Sequence, residues 1–228
     1  MEGYHNTIKD KNWNGDNAET SHYGSFAHVE GEDCIVGGIA CHAEGMGCES
    51  YNNSSHAEGY FNKVDGLGSH VEGKSNTLFG HASHLEGESN QILVNTDGQY
   101  FDEKHLKCVH IEGYNNTAGS GFMHIEGENN RFPLLPAALR NAHIEGTSHF
   151  CQSTVTDAGN IHVEGYNNTI NNNSVNSHIE GTSNTTYANI THVEGANNTI
   201  STSALKSHAE GDNNTIYANA ECSHTEGS

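Results

Sequence analysis

With 228 residues, 9 Lys and Arg against 29 Asp and Glu, a formal charge of -20 and only 33% hydrophobic residues, the chain falls short of the roughly 45–50% apolar content of an ordinary globular domain. That balance argues against a conventional single core. It also argues against nucleic acid or an anionic membrane surface as partner, since both need clustered Lys and Arg.

Low hydrophobicity with high charge would signal disorder, but disorder needs no repeating pattern and this chain is dominated by one. Residues 1–27 read as a partial or irregular coil. Met1 to Asn17 is polar throughout, without the apolar segment or cleavage site of a secretory signal. Its opening, Met1-Glu2-Gly3-Tyr4-His5-Asn6-Thr7-Ile8, matches the second half of a later unit, Glu164-Gly165-Tyr166-Asn167-Asn168-Thr169-Ile170, as expected of a fragment or of a chain lacking an N-terminal piece. No apolar stretch, Phe132 to Leu139 included, reaches the roughly 20 residues that span a bilayer, so membrane insertion is not expected.

Across residues 28–228 the tetrapeptide His-Φ-Glu-Gly, Φ being mostly apolar, recurs thirteen times. Its polar pairs are His28 and Glu30, His42 and Glu44, His56 and Glu58, His70 and Glu72, His84 and Glu86, His110 and Glu112, and His124 and Glu126. They continue with His143 and Glu145, His162 and Glu164, His178 and Glu180, His192 and Glu194, His208 and Glu210, and His224 and Glu226. The basic interval is 14 residues; longer intervals mark insertions at 95–107, 131–141 and 147–160.

A second ladder follows the motif glycine by three residues: Asn6, Asn62, Asn76, Asn90, Asn116, Asn130, Asn168, Asn184, Asn198 and Asn214, interrupted by Cys34, Cys48 and His149. Two residues further stands a usually apolar side chain, such as Val36, Val64, Leu78, Ile92, Phe132 or Ile170. Fourteen residues hold two strands of about five residues and two tight turns, with the motif glycine at a turn of positive φ. Alternation puts Φ on one face and His and Glu on the other. The pattern predicts an all-β fold, a parallel β-solenoid of 14-residue coils stacked about 4.8 Å apart. Asn at a repeated position is expected to bond its neighbours above and below.

The motifs Ser55-His56-Ala57-Glu58-Gly59, Ser69-His70-Val71-Glu72-Gly73 and Ser207-His208-Ala209-Glu210-Gly211 resemble the SHAEG-type repeats of phage tail-fibre and related surface proteins. These are similar in turn to the β-roll heads of trimeric autotransporter adhesins. The resemblance implies a left-handed roll, a parallel homotrimer, and a shaft or head in a virion, phage tail or cell-surface adhesin.

Stacked carboxylates repel one another, and His two residues before each Glu offers a nearby donor. The thirteen His and Glu pairs are therefore expected to form a hydrogen-bonded structural ladder at a protomer interface. Pairing of that kind would raise the histidine pKa and weaken the protein toward alkaline pH. A metal- or proton-responsive array is the alternative, with His42, Glu44, His56, Glu58, His70 and Glu72 as candidate ligands.

Enzyme signatures are missing: His-x-Glu lacks the Pro-Cys-x-x-Cys of zinc deaminases, and there is no His-Glu-x-x-His, P-loop or Gly-x-Ser-x-Gly. A motif present thirteen times reads as scaffold, so neither catalytic residues nor a cofactor are expected. Cys34, Cys41 and Cys48 read as small buried residues, with Cys34 and Cys48 on adjacent rungs and a disulfide requiring local adjustment. The insertions offer Tyr100, Phe101, Phe132, Leu134, Leu135 and Leu139 as candidate partner-binding residues, for a receptor or glycan or to cover a neighbouring chain.

Overall fold

The computed structural model describes residues 2–8, 26–93, 108–119, 121–132, 139–151, 158–171, 174 and 176–228. It divides into two compact units, Met1–Tyr114 and Asn115–Ser228. Each is a parallel β-solenoid, and among the described residues there is no helix.

In the first unit one sheet stacks Glu2–Tyr4, His28–Glu32, His42–Met46, His56–Tyr60, His70–Lys74, His84–Glu88 and His110–Tyr114. A second sheet stacks Thr7–Ile8, Ile35–Val36, Glu49–Ser50, Lys63–Val64, Thr77–Leu78 and Gln91–Ile92. The second unit repeats the plan, with long strands from Met123–Glu128 to His224–Gly227 and short ones from Thr117–Ala118 to Thr215–Ile216. Register is in phase: Ala57 lies beside Val71, Glu58 beside Glu72 and Gly59 beside Gly73.

The interior follows from alternation. Val29, Ala43, Ala57, Val71, Leu85 and Ile111 in the first unit, and Ile125, Ile144, Val163, Ile179, Val193 and Ala209 in the second, are fully buried. They face Val36, Val64, Leu78 and Ile92, or Phe132, Ile170 and Ile200, from the short strands. Ile8, in the first described coil, is instead exposed.

The expected coil needs two corrections. The second strand has two residues rather than about five. The motif glycine is the fourth residue of the long strand rather than a turn residue, and it still has positive φ, +102° at Gly73. Its role is close approach: a Cβ on Gly73 would lie 2.1 Å from the carbonyl oxygen of Gly87.

The corners are two other positions, five residues after and two before the motif histidine, and both lie in the left-handed region. Phe61 (+51°), Ser75 (+55°) and Asn115 (+53°) represent the first, and Ser54 (+55°), Ala82 (+48°) and Ile190 (+58°) the second. For Phe and Ile this conformation costs about 1–2 kcal/mol. Coil-to-coil hydrogen bonding continues around the corner and holds it, as where Phe61 N–H donates to Met46 O and Ser75 N–H to Tyr60 O, both at 2.8 Å.

Four ends of the proposed insertions are solenoid. Arg131–Phe132 is a short strand, Leu139 opens the strand Leu139–Thr147, Phe150–Cys151 is another short strand, and 158–160 belong to the strand Ala158–Tyr166. Phe132 is fully buried in the core, so it does not belong among the partner-binding residues: its place in the ladder, two residues after Asn130, puts it inside. Tyr100, Phe101, Leu134 and Leu135 lie outside the described residues.

Candidate functional site

Two polar arrays run along each solenoid, one inside and one on the outer face. Inside stands the asparagine ladder. Asn76 Nδ2 donates to Glu72 O of its own coil (2.7 Å) and Gly87 O of the next (2.8 Å), while its Oδ1 accepts from Asn90 N–H (2.8 Å). In the second unit Asn184 does the same toward Glu180 O, Gly195 O and Asn198 N–H, each at 2.9 Å. One buried amide thus satisfies three backbone groups that the short turn leaves without a strand partner.

His149 occupies a ladder position and reproduces the asparagine. Its backbone N–H donates to Asn130 Oδ1 (2.9 Å), its Nε2 lies 3.0 Å from Glu145 O, and its Nδ1 accepts from Asn168 N–H (3.2 Å). An accepting Nδ1 fixes the neutral imidazole with its proton on Nε2. Burial also holds the His149 pKa below its ordinary value, outweighing the backbone bonds that favour the cation.

Unfolded histidine takes up a proton near pH 6.5 while folded His149 resists it, so stability is full above about pH 6.5 and falls as pH drops toward the lower folded value. His149→Asn is expected to retain more stability at pH 5 relative to pH 8 than the parent does. Thermal melts across that range check this, and an unchanged pH profile would contradict it.

Cys34, which also replaces an asparagine, places its Sγ 3.4 Å from Gly45 O and so keeps one weak contact of the three. Cys34, Cys41 and Cys48 are buried free thiols. Burial pushes the Cys48 thiol up to about 11 and raises Cys41 as well, which makes both poor nucleophiles. Beside this lies a serine ladder that the sequence reading missed: Ser69 Oγ donates to Gly80 O (2.8 Å) and accepts from Ser83 N–H (3.2 Å). Its signal was the Ser preceding the motif His at 55, 69, 83, 177, 207 and 223.

On the outer face the in-register long strands set like beside like: in the first unit His28, His42, His56, His70, His84 and His110 form one file. Their rings stack with centroids 4.4–5.1 Å apart and interplanar angles between 2° and 26°. In the second unit the file is less regular. His124 and His143 meet edge to face at 84°, His143 and His162 at 63°, and His178 and His192 at 52°. The stack is regular again from His192 through His208 to His224.

The glutamates run alongside, Glu30 beside Glu44 and Glu58 in the first unit and Glu194 beside Glu210 and Glu226 in the second. Within one motif His Nε2 and Glu Oε2 are 3.6 Å apart at His42 and Glu44, 3.8 Å at His56 and Glu58, and 3.7 Å at His208 and Glu210. That is outside hydrogen-bond reach. The Nε2 atoms of His42, His56, His70, His84, His162 and His208 are buried without a hydrogen-bond partner, so the expected His to Glu hydrogen bond is not made at these copies.

The expected rise in histidine pKa is reversed at His56. Burial, then the neighbouring His42 and His70, lower it against the opposing pull of Glu44 and Glu72. His56 therefore adds to acid lability rather than alkaline lability.

The recurring Asn-Asn-Thr stretches of the unit's second half combine distinct roles. In Asn115-Asn116-Thr117 the first Asn is an exposed corner at positive φ, the second a buried ladder amide and the Thr a short-strand residue. Compared with known proteins, the chain matches no family model, no curated protein and no solved structure.

Proposed function

We propose that this protein is a non-enzymatic fibrous structural or attachment element, the shaft or head of a virion, phage tail fibre or surface adhesin. Its coils belong to the SHAEG-type β-roll, wind left-handed, and associate as a parallel homotrimer. The observation that supports this best is the use to which the repeat is put. Within each unit a motif copy stacks on an identical residue of the next coil, Gly on Gly, Glu on Glu, His on His, so the copies build length rather than one catalytic centre.

Assembly has a physical motive on the outer face. The half-buried imidazoles of His42, His84, His162 and His208, with unpartnered Nε2 atoms, and a file of carboxylates are poorly satisfied in a single chain, and covering them with two other copies supplies partners. Other partners, a receptor or a glycan, fall to the insertions.

Native mass measurement of the full chain is expected to give three copies. A stable monomer at micromolar concentration would overturn the trimer.

A further inference from the structure

We propose that His56, Glu58 and His70 form a binding site for one divalent first-row transition-metal ion on the outer face of the first unit. The inference does not rest on the assembly reading, because all three ligands come from one chain.

Register places His56 directly beside His70 on neighbouring parallel strands, and Glu58 stands two residues after His56 on the same face. The two rings are stacked at 4.6 Å and within 2° of parallel. Glu58 Oε2 is 3.8 Å from His56 Nε2, and one ligand atom from each of the three lies within 4.8 Å of the others. Among the described residues this is the group that meets that spacing. Both Nε2 atoms are buried and have no hydrogen-bond partner in the chain. In the tautomer with its proton on Nδ1, an Nε2 so placed beside a carboxylate offers a lone pair that a metal ion satisfies.

Two imidazole nitrogens and one carboxylate oxygen suit zinc, cobalt or nickel. Bonds of about 2.0–2.1 Å need ligand atoms roughly 3.3 Å apart, so closure by about an ångström is required. Tilting each ring until the parallel lone pairs converge supplies it. The side chains of His56 and Glu58 are 32% and 44% exposed, which leaves room for that tilt and for water at the remaining positions. Glu44 and Glu72 flank Glu58 on the two neighbouring coils and add negative potential. His56 is also held toward its neutral, ligating form by burial and by the neighbouring histidines.

Calorimetric titration of the chelator-treated full chain with zinc alone tests the site. The account expects saturable binding at micromolar zinc, weakened at least about tenfold by Glu58→Gln or His70→Gln, a loss that even outer partners of metal sites produce. His192→Gln, in the second unit, is expected to leave that affinity unchanged. Absence of saturable binding, or equal weakening by His192→Gln, would overturn the assignment. Cobalt added to the unsubstituted protein gives a readout that does not depend on any variant folding: visible bands of nitrogen-ligated cobalt are expected, and the spectrum of the aquated ion alone would contradict the site.

Discussion

Gly73→Ala is expected to destabilise the protein by more than about 4 kcal/mol, or to prevent folding, a range reached by few single substitutions. A Cβ at Gly73 would sit 2.1 Å from the Gly87 oxygen and 3.0 Å from its carbonyl carbon. Both are backbone atoms of the next coil, so nothing flexible can give way, and the φ of +102° is foreign to alanine. Relief requires the two coils to separate, which breaks the adjacent ladder bond from Asn76 to Gly87 O. Gly68→Ala is the matched control. Gly68 has φ +61° with nothing within 4 Å of its Cβ position, so only the left-handed penalty of about 1–2 kcal/mol applies. Urea unfolding of the two variants beside the parent separates them, and equal effects would show that coil spacing is not what the motif glycine enforces.

Asn76→Ala is expected to cost about 3–5 kcal/mol. It strips partners from two part-buried carbonyls and one buried N–H, each worth about 1–3 kcal/mol when left unmade, with some relief from water at the carbonyls and as the coil relaxes. Asn76 is fully buried, so water cannot replace the amide without entering the core. Asn76→Asp is expected to be at least as damaging, because it keeps the acceptor for Asn90 N–H but points a carboxylate at the carbonyls of Glu72 and Gly87. Where unfolding proceeds in segments, exchange of the Asn90 amide reports the local loss directly. A cost below about 1 kcal/mol would mean the ladder amides are not needed to hold the turn.

The alternation in His-Φ-Glu and the fixed offset of Asn were enough to place the core and the inner ladder, because strand geometry leaves little choice about which face a residue takes. Phe132 illustrates both the strength of that reasoning and where it failed. Its offset from Asn130 put it in the core, while its neighbours Pro133 and Leu134 drew it into a proposed loop. The corners were less legible. Positive φ at Phe61 is held by coil-to-coil hydrogen bonding, which no propensity of Phe signals.

The His to Glu hydrogen bond expected on the outer face is missing at six copies for a reason of distance. Residues i and i+2 of one strand are about 6.6 Å apart along the chain, whereas identical residues of adjacent coils are about 4.8 Å apart. His56 therefore stacks on His70 and stands short of hydrogen-bonding Glu58. His149 was visible as an interruption of the asparagine ladder, but its equivalence to asparagine needed the positions of Nδ1 and Nε2 against Asn168 and Glu145.

The central claim is that the repeated motif forms a stacked scaffold held from within by its ladders. Hydrogen exchange of the full chain, resolved to single amides, tests this most directly. The account predicts slow exchange at the ladder amides of Asn76, Asn90, Asn184 and Asn198, which are buried and donate to the ladder amide of the preceding coil. Exchange at those amides as fast as in an unfolded chain would contradict it.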